Sequence, residues 1–490
     1  MKYAFSIFLI LLGNLTFAQV GTNGFHWVPI DKIPCKNFRM YQEVQWTWTA
    51  DGLAVEPTRQ ADGNYDIWLK AAKQRGISTV FCPNRVPNWW FTDAQRASDV
   101  EWPDRRLHKW GLNGIAPADY ADICAYYWQL TARYGRVKYP ETMLRVNQIP
   151  RWTNDPITKK LSGLNLLNYI EVENEPDRPW KGQTHKYTPE QYAALLSAAY
   201  DGHEGRLGPI GIKNADPSMK VVLGGLSAIN VTYLKQMSNW FKLNRTDRKF
   251  PCDVINVHHY ANARNPWPGE SIDLLRGEGV SPEADNLPTR LDSLMAFVNR
   301  TFGKNKVEVW YSEFGWDTQP YVGYPAPPTW LSQFPKLYNR RTAQELQGIW
   351  AARTYLISIS KGLTCAHIYN ASDEPAWESG NLFQSSGFMS SQQTGFKLKA
   401  SYNWIKWTQT QTEGWKFTKN RSVDGVTILE FKRGPKYKYF YWCPTSNDTV
   451  KRIIIGSTTL DATENPNAFE TFVPLFGRLV NKHPKVKSQE

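Results

Sequence analysis

NYIEVENEPDRPW, residues 168–180, decides how this chain is read. Tyr169, Ile170 and Val172 are strand formers, and Glu171, Glu173, Glu175 and Asp177 interrupt them. Carboxylates are almost never buried without partners. A strand with this many acids is either badly placed or one whose end carries chemistry. Pro176 marks where the strand stops, because without an N–H it does not continue a central ladder. Glu175 therefore stands at a strand terminus.

Segments on either side alternate between two textures. Short β-branched runs predict strands at 20–25, 37–44, 77–82, 167–173, 219–225, 252–260, 306–315 and 363–370. Helical spacing falls at 118–135, 188–202, 231–244, 288–303 and 342–362. In the second of these helices, Thr188 is the expected N-cap, Pro189 the first helical residue and Gly202 the stop. Eight strands alternating with helices predict an α/β chain, a (β/α)8 TIM barrel over residues 19–410. The rival is a doubly wound open sheet, but no glycine-rich phosphate fingerprint follows the first strand. Beyond 410 the chain reads as strands and turns. This predicts a small antiparallel, β-sandwich-like domain at 411–480 and a basic tail at 481–490.

In such a barrel the reactive groups project from the C-terminal strand ends. Glu175 ends the fourth expected strand. Glu313, in VWYSEFGWDT, ends the seventh, and Gly315 follows to permit a sharp turn. Two carboxylates at one barrel mouth can flank a glycosidic bond, one protonating the leaving oxygen while the other attacks the anomeric carbon.

At this point the motifs resemble those of clan A of the glycoside hydrolases, retaining (β/α)8 enzymes of the family 39 or family 5 type. NEP at 174–176 resembles the acid/base motif and SEFG at 312–315 the nucleophile motif. HHY at 258–260 resembles the clan's His-x-Tyr on strand six. FRMY at 38–41 resembles the second-strand motif with its arginine, and DPSMKVVLGGLSA at 216–228 the fifth strand of family 39 and its neighbours. The resemblance spans roughly residues 20–405. It implies Glu175 as acid/base and Glu313 as nucleophile. It also implies Asn174 on the sugar 2-hydroxyl, Tyr260 and Arg39 supporting the nucleophile, and His258 lining the site. Many members carry a Trp at the end of strand eight, where this chain has Tyr369 followed by Asn370.

Other residues have a structural and a functional reading. Glu171 and Glu173 share strand parity with Glu175, and the structural reading pairs them with Arg or Lys inside the barrel. His259, of opposite parity to His258, reads as structural. Trp89, Trp90 and Trp180 lie just beyond strand ends, where they either stack on sugar or join the core.

Composition narrows the classes further. The chain has 490 residues, 41% of them hydrophobic, with 22 Trp. MKYAFSIFLILLGNLTFAQ opens it with one positive charge, an apolar run to Leu12 and a small Ala18. This predicts a secretory signal peptide cleaved after Ala18, and a secreted or periplasmic product. No later segment reaches ~18 apolar residues, so no membrane span is expected. The six cysteines contain no CxxC pair, so no zinc site is expected. Export permits disulfides without assigning any.

The formal net charge of +13 suits an acidic partner such as a uronate-rich or sulfated glycan, against the plainer reading of a solvated basic surface. Export and the lack of a recognition module argue against nucleic acid. The expected activity is therefore a monomeric, exported, retaining hydrolase of β-linked oligo- or polysaccharide. It needs neither metal nor organic cofactor. The alternatives are a transglycosidase of the same fold, a non-catalytic glycan-binding barrel and a metal-dependent lyase.

Overall fold

The computed structural model describes residues 19–50, 55–57, 64–99, 103–150, 153–178, 182–183, 185–261, 279–319, 341–374, 383–444, 450–455 and 458–472. The expected leader at 1–18, Trp180 and the tail from 481 lie outside these.

Eight parallel strands close into a barrel in chain order. They are β1 (Gln19–Gly24), β2 (Asn37–Glu43), β3 (Ser78–Asn84), β4 (Tyr169–Val172), β5 (Lys220–Leu223), β6 (Val254–His258), β7 (Glu308–Phe314) and β8 (Cys365–Ile368). Each lies where the sequence placed a strand. Pairing of β1 with β8, Gln19 opposite Cys365, closes the sheet and excludes the open-sheet rival.

Strand alternation sorts side chains into tiers. On β2, Phe38 and Met40 point outward into the core shared with the helices, while Arg39 and Tyr41 point inward. The lowest inner tier is apolar: Val80, Val222, Val254, Trp310 and Cys365, packed by Tyr169. Above it lies a buried polar tier of Asn37, Arg39, Glu171, Asn256 and His367. The catalytic candidates lie above that.

Strand β7 breaks the alternation. Tyr311 and Phe314 both belong to the outer core. Between them the register slips against β6 and against β8. The extra residue turns Ser312 and Glu313, neighbours in sequence, both toward the interior. Bulges of this kind re-aim side chains beside active sites.

The crossover helices follow their local signals. Thr188 caps the helix Pro189–Asp201 by accepting from the Gln191 amide, and Gly202 ends it at φ 67°. Five described α-helices went unread in the sequence, the two longest being Tyr65–Gln74 and Ala400–Thr412. The second is rich in Thr and Trp, poor helix formers whose placement is decided by packing. It crosses the helix Ala343–Ser360 at Gly348, where a Cβ would lie 2.8 Å from the Ser401 Cα. No described helix is long and apolar enough to cross a membrane.

The C-terminal region is antiparallel. A four-stranded sheet runs in the order β14 (Asn467–Thr471), β11 (Lys436–Trp442), β10 (Val426–Arg433), β9 (Lys416–Val423), beside a hairpin of β12 (Lys451–Ile455) and β13 (Thr458–Ala462). One face of the sheet, with Leu429, Phe431, Phe440 and Trp442, lies in the same core as the barrel helices. The other face, with Val426, Ile428, Tyr439 and Tyr441, packs on Ile453 and Ala462 of the hairpin. Trp442 Nε1 donates to Glu283 at 2.7 Å, and Arg353 pairs with the same carboxylate. All six cysteines are free and buried.

Candidate active site

Glu313 is held by donors on both oxygens. Oε1 accepts from Arg39 at 2.7 Å and from the Tyr41 hydroxyl at 2.5 Å. Oε2 accepts from the Tyr260 hydroxyl at 2.9 Å and lies 3.4 Å from His258 Nδ1. Burial alone would raise this carboxyl. The His258 imidazole, the Arg39 guanidinium and the two tyrosine hydroxyls outweigh it and hold Glu313 below the ordinary carboxylate value.

Glu175 reaches the same space by a different device. Strand β4 ends at Val172, and the chain then turns through left-handed residues, Glu173 at φ 71° and Glu175 at φ 47°. Strand parity therefore stops short of Glu173 and Glu175. The Glu175 amide donates to the Gly225 carbonyl at 3.0 Å. Its Oε1 meets His258 Nδ1 at 2.8 Å, and His258 Nε2 meets Ser312 Oγ at 3.0 Å. Gly225 leaves room for that imidazole, since a Cβ there would meet its Nε2 at 2.0 Å. Oxygens of Glu175 and Glu313 and a nitrogen of His258 lie within 4.8 Å of one another, and all three residues are buried.

The acids of the opening stretch separate by role. Glu171 takes two bonds from Arg39, at 2.6 and 2.9 Å, and further ones from the Gly225 amide and Asn256 Nδ2. Arg39 also donates to Asn174 Oδ1 at 2.6 Å. Both members of the Arg39–Glu171 pair are fully buried. Breaking such a pair from one side leaves an uncompensated charge. Glu171→Ala is expected to destabilise the protein by about 3–5 kcal/mol, read from denaturant unfolding; a loss within the scatter of surface variants would count against this account.

Glu173 pairs with Arg178 at 3.2 Å, as the structural reading required. Burial, only partly offset by Arg178 and the Asn174 amide, pushes its carboxyl up to about 7. The sign follows from linkage. Between the ordinary value of 4.5 and about 7 the unfolded chain releases this proton while the folded chain keeps it. Stability from Glu173 is thus full at acid pH and lost as pH rises through 7. Relative to wild type, Glu173→Gln should gain stability between pH 5 and 8, by roughly 3 kcal/mol at most. A pH-independent difference in chemical denaturation would contradict this.

The remaining candidates divide by exposure. Asn174, Tyr260 and Tyr369 are half-buried at the mouth, and Tyr369 donates to Glu374 at 3.2 Å. Asn370 is buried, and its Oδ1 takes the Ala371 amide. Trp90 is buried against Trp48, with ring centroids 5.4 Å apart. Trp89 is half-buried and donates to the Trp48 carbonyl. His259 is turned away from the site and pairs with Asp285.

Sequence reasoning missed Tyr41, Ser312 and Phe383. Tyr41 was legible, since two residues after Arg39 on a strand means the same face. Phe383 stacks on Tyr260 with ring centroids 4.1 Å apart, and no local pattern announces it.

Comparison with known proteins adds the following. No family model matches the sequence, and no curated protein matches it. Among solved structures, the chain is similar to a family 39 glycoside hydrolase from the gut symbiont Bacteroides cellulosilyticus WH2. The TM-score is 0.58 at 14% identity, covering 92% of this chain and 80% of that one. It is also similar to SrfJ from Salmonella typhimurium, with a TM-score of 0.53 at 9% identity over 92% and 89% of the two chains. At these identities the likeness establishes the barrel fold.

Proposed function

We propose that this protein is an exported, retaining glycoside hydrolase acting on β-linked oligo- or polysaccharide. The observation that carries the reading is the closeness of the two carboxyls, with oxygens within 4.8 Å. Retaining enzymes separate these groups by about 5–5.5 Å, whereas inverting ones need about 6.5–9.5 Å to admit a water.

The residues divide the work as follows. Ionised Glu313 attacks the anomeric carbon. Glu175, whose Oε1 lies 2.8 Å from His258 Nδ1, passes its proton to the departing oxygen. Water then enters where the leaving group was, gives its proton to Glu175 and releases Glu313. Asn174, with Oδ1 committed to Arg39, has Nδ2 to offer the sugar 2-hydroxyl. Tyr369 and Phe383, with ring centroids 5.8 Å apart, line the side where many such barrels carry a Trp.

The test is a hydrolysis screen over a β-glycan library, with the product anomer followed by NMR as it forms. A first-formed β-anomer supports the reading. A first-formed α-anomer, or no turnover of any glycan that binds, refutes it.

A further inference from the structure

Building on the retaining reading, we infer that Tyr41 is a positioning residue that holds the non-attacking oxygen of Glu313 and sets how readily that carboxyl departs in the second step. The two oxygens of Glu313 have different surroundings. Oε2 faces the gap between the carboxyls, because His258 Nδ1 lies 3.4 Å from it and 2.8 Å from Glu175. Oε1 is turned the other way, onto Arg39 and Tyr41. The bond to the anomeric carbon therefore forms at Oε2, and Oε1 becomes the ester carbonyl oxygen.

Electron flow then gives Tyr41 unequal weight in the two steps. In the first, an Oε2 lone pair forms the C1–O bond, and the pair of the breaking glycosidic bond leaves on the departing oxygen, which takes the Glu175 proton. In the second, water bonds to C1 and gives a proton to Glu175, and the C1–Oε2 pair returns to Glu313 as carboxylate. Tyr260 contacts Oε2, the atom that is esterified. Tyr41 contacts Oε1 and keeps its bond throughout, so it meets the returning charge. Hydrogen bonds to charged acceptors are the strong ones.

The donor is fixed and directional. Arg39 donates to the Tyr41 oxygen at 2.7 Å, and Tyr41 donates onward to Glu313, a chain in which each bond polarises the next. The ring is 7% exposed, lies against Phe25 and Tyr369, and has the Arg39 guanidinium over its face at 4.9 Å. Arg39 alone is a poorer control, because its charge is shared with Glu171. The charged and titratable groups facing Glu313 are Arg39 and Tyr41 from β2, Cys82 from β3, Glu171 behind Arg39, Glu175 after β4, His258 at the end of β6, Tyr260 after it, and Tyr369 after β8.

The test uses the full chain carrying Tyr41→Phe, which keeps the ring and removes the hydroxyl. With 13C-labelled glutamate, and Glu313 assigned by difference against Glu313→Gln, its titration midpoint should rise by about one unit. On a panel of 2,4-dinitrophenyl β-glycosides, whose leaving group needs no acid, kcat should fall about tenfold. KM should fall with it, and a dinitrophenolate burst should appear, because the glycosyl-enzyme accumulates. The reciprocal variant, Tyr41→3-fluorotyrosine, has the same shape and a stronger donor, so it should lower the midpoint. A midpoint unmoved in both variants, or kcat and KM within twofold of wild type in Tyr41→Phe, overturns the inference. Failure of the retaining reading looks different: an inverted product anomer in the wild type, with the titration arm unaffected.

Discussion

On the proposed retaining mechanism, Glu313→Ala should lose turnover of β-glycosides by about 10⁴-fold or more while the protein still folds. The loss follows from the covalent step: with no carboxylate there is nothing to form the glycosyl-enzyme, and water has no activated route from that side. The cavity left by the side chain makes a sharper test. Azide admitted there attacks the anomeric carbon from the α side, and Glu175 still protonates the departing oxygen, so the rescued product is an α-glycosyl azide. Arg39, Tyr41 and Tyr260, which bond the Glu313 carboxylate, line the space azide would enter. Wild-type activity in Glu313→Ala, or a rescued azide of β configuration, would remove Glu313 from the nucleophile's role.

Glu175→Ala should show the mirror of this result. General acid–base assistance contributes typically ~10²–10⁴-fold, and only where a proton must move. Turnover of a substrate with a poor leaving group should fall by that amount. A dinitrophenyl glycoside should still glycosylate Glu313, then stall, because no base remains to activate water. Azide needs no base, so it should release the intermediate as a β-glycosyl azide. The two alanine variants thus give azides of opposite configuration from one substrate. Equal losses on good and poor leaving groups would show that Glu175 does not carry the proton.

Much of this site was legible in the sequence, from two signals. Counting strands gave the closed barrel and put Glu175 and Glu313 at its mouth, while the motif resemblance implied Arg39, His258 and Tyr260, which the structure brings to the same place. What escaped were departures from the period. Strict alternation on β7 would put Ser312 and Glu313 on opposite faces, and only the register slip brings both inside. Parity along β4 suggested one inward row of Glu171, Glu173 and Glu175. The left-handed turn at Glu173 breaks that row, leaving Glu171 under Arg39 and Glu175 at the mouth. The burial of Trp90 against Trp48 depends on two loops meeting, which no local window contains.

The continuous core beneath the C-terminal sheet has a consequence for how the molecule comes apart. Leu429, Phe431, Phe440 and Trp442 pack on the barrel helices rather than on a core of their own, and Glu283 ties Trp442 to Arg353 across the junction. A chain cut near residue 412 would leave the outer flank of the helix Ala343–Ser360 facing water and the Arg353–Glu283 pair without its indole. Such a fragment would be sticky rather than autonomous. Heating the whole chain should melt barrel and sheet together in one transition, so grafting this barrel elsewhere means carrying the sheet with it.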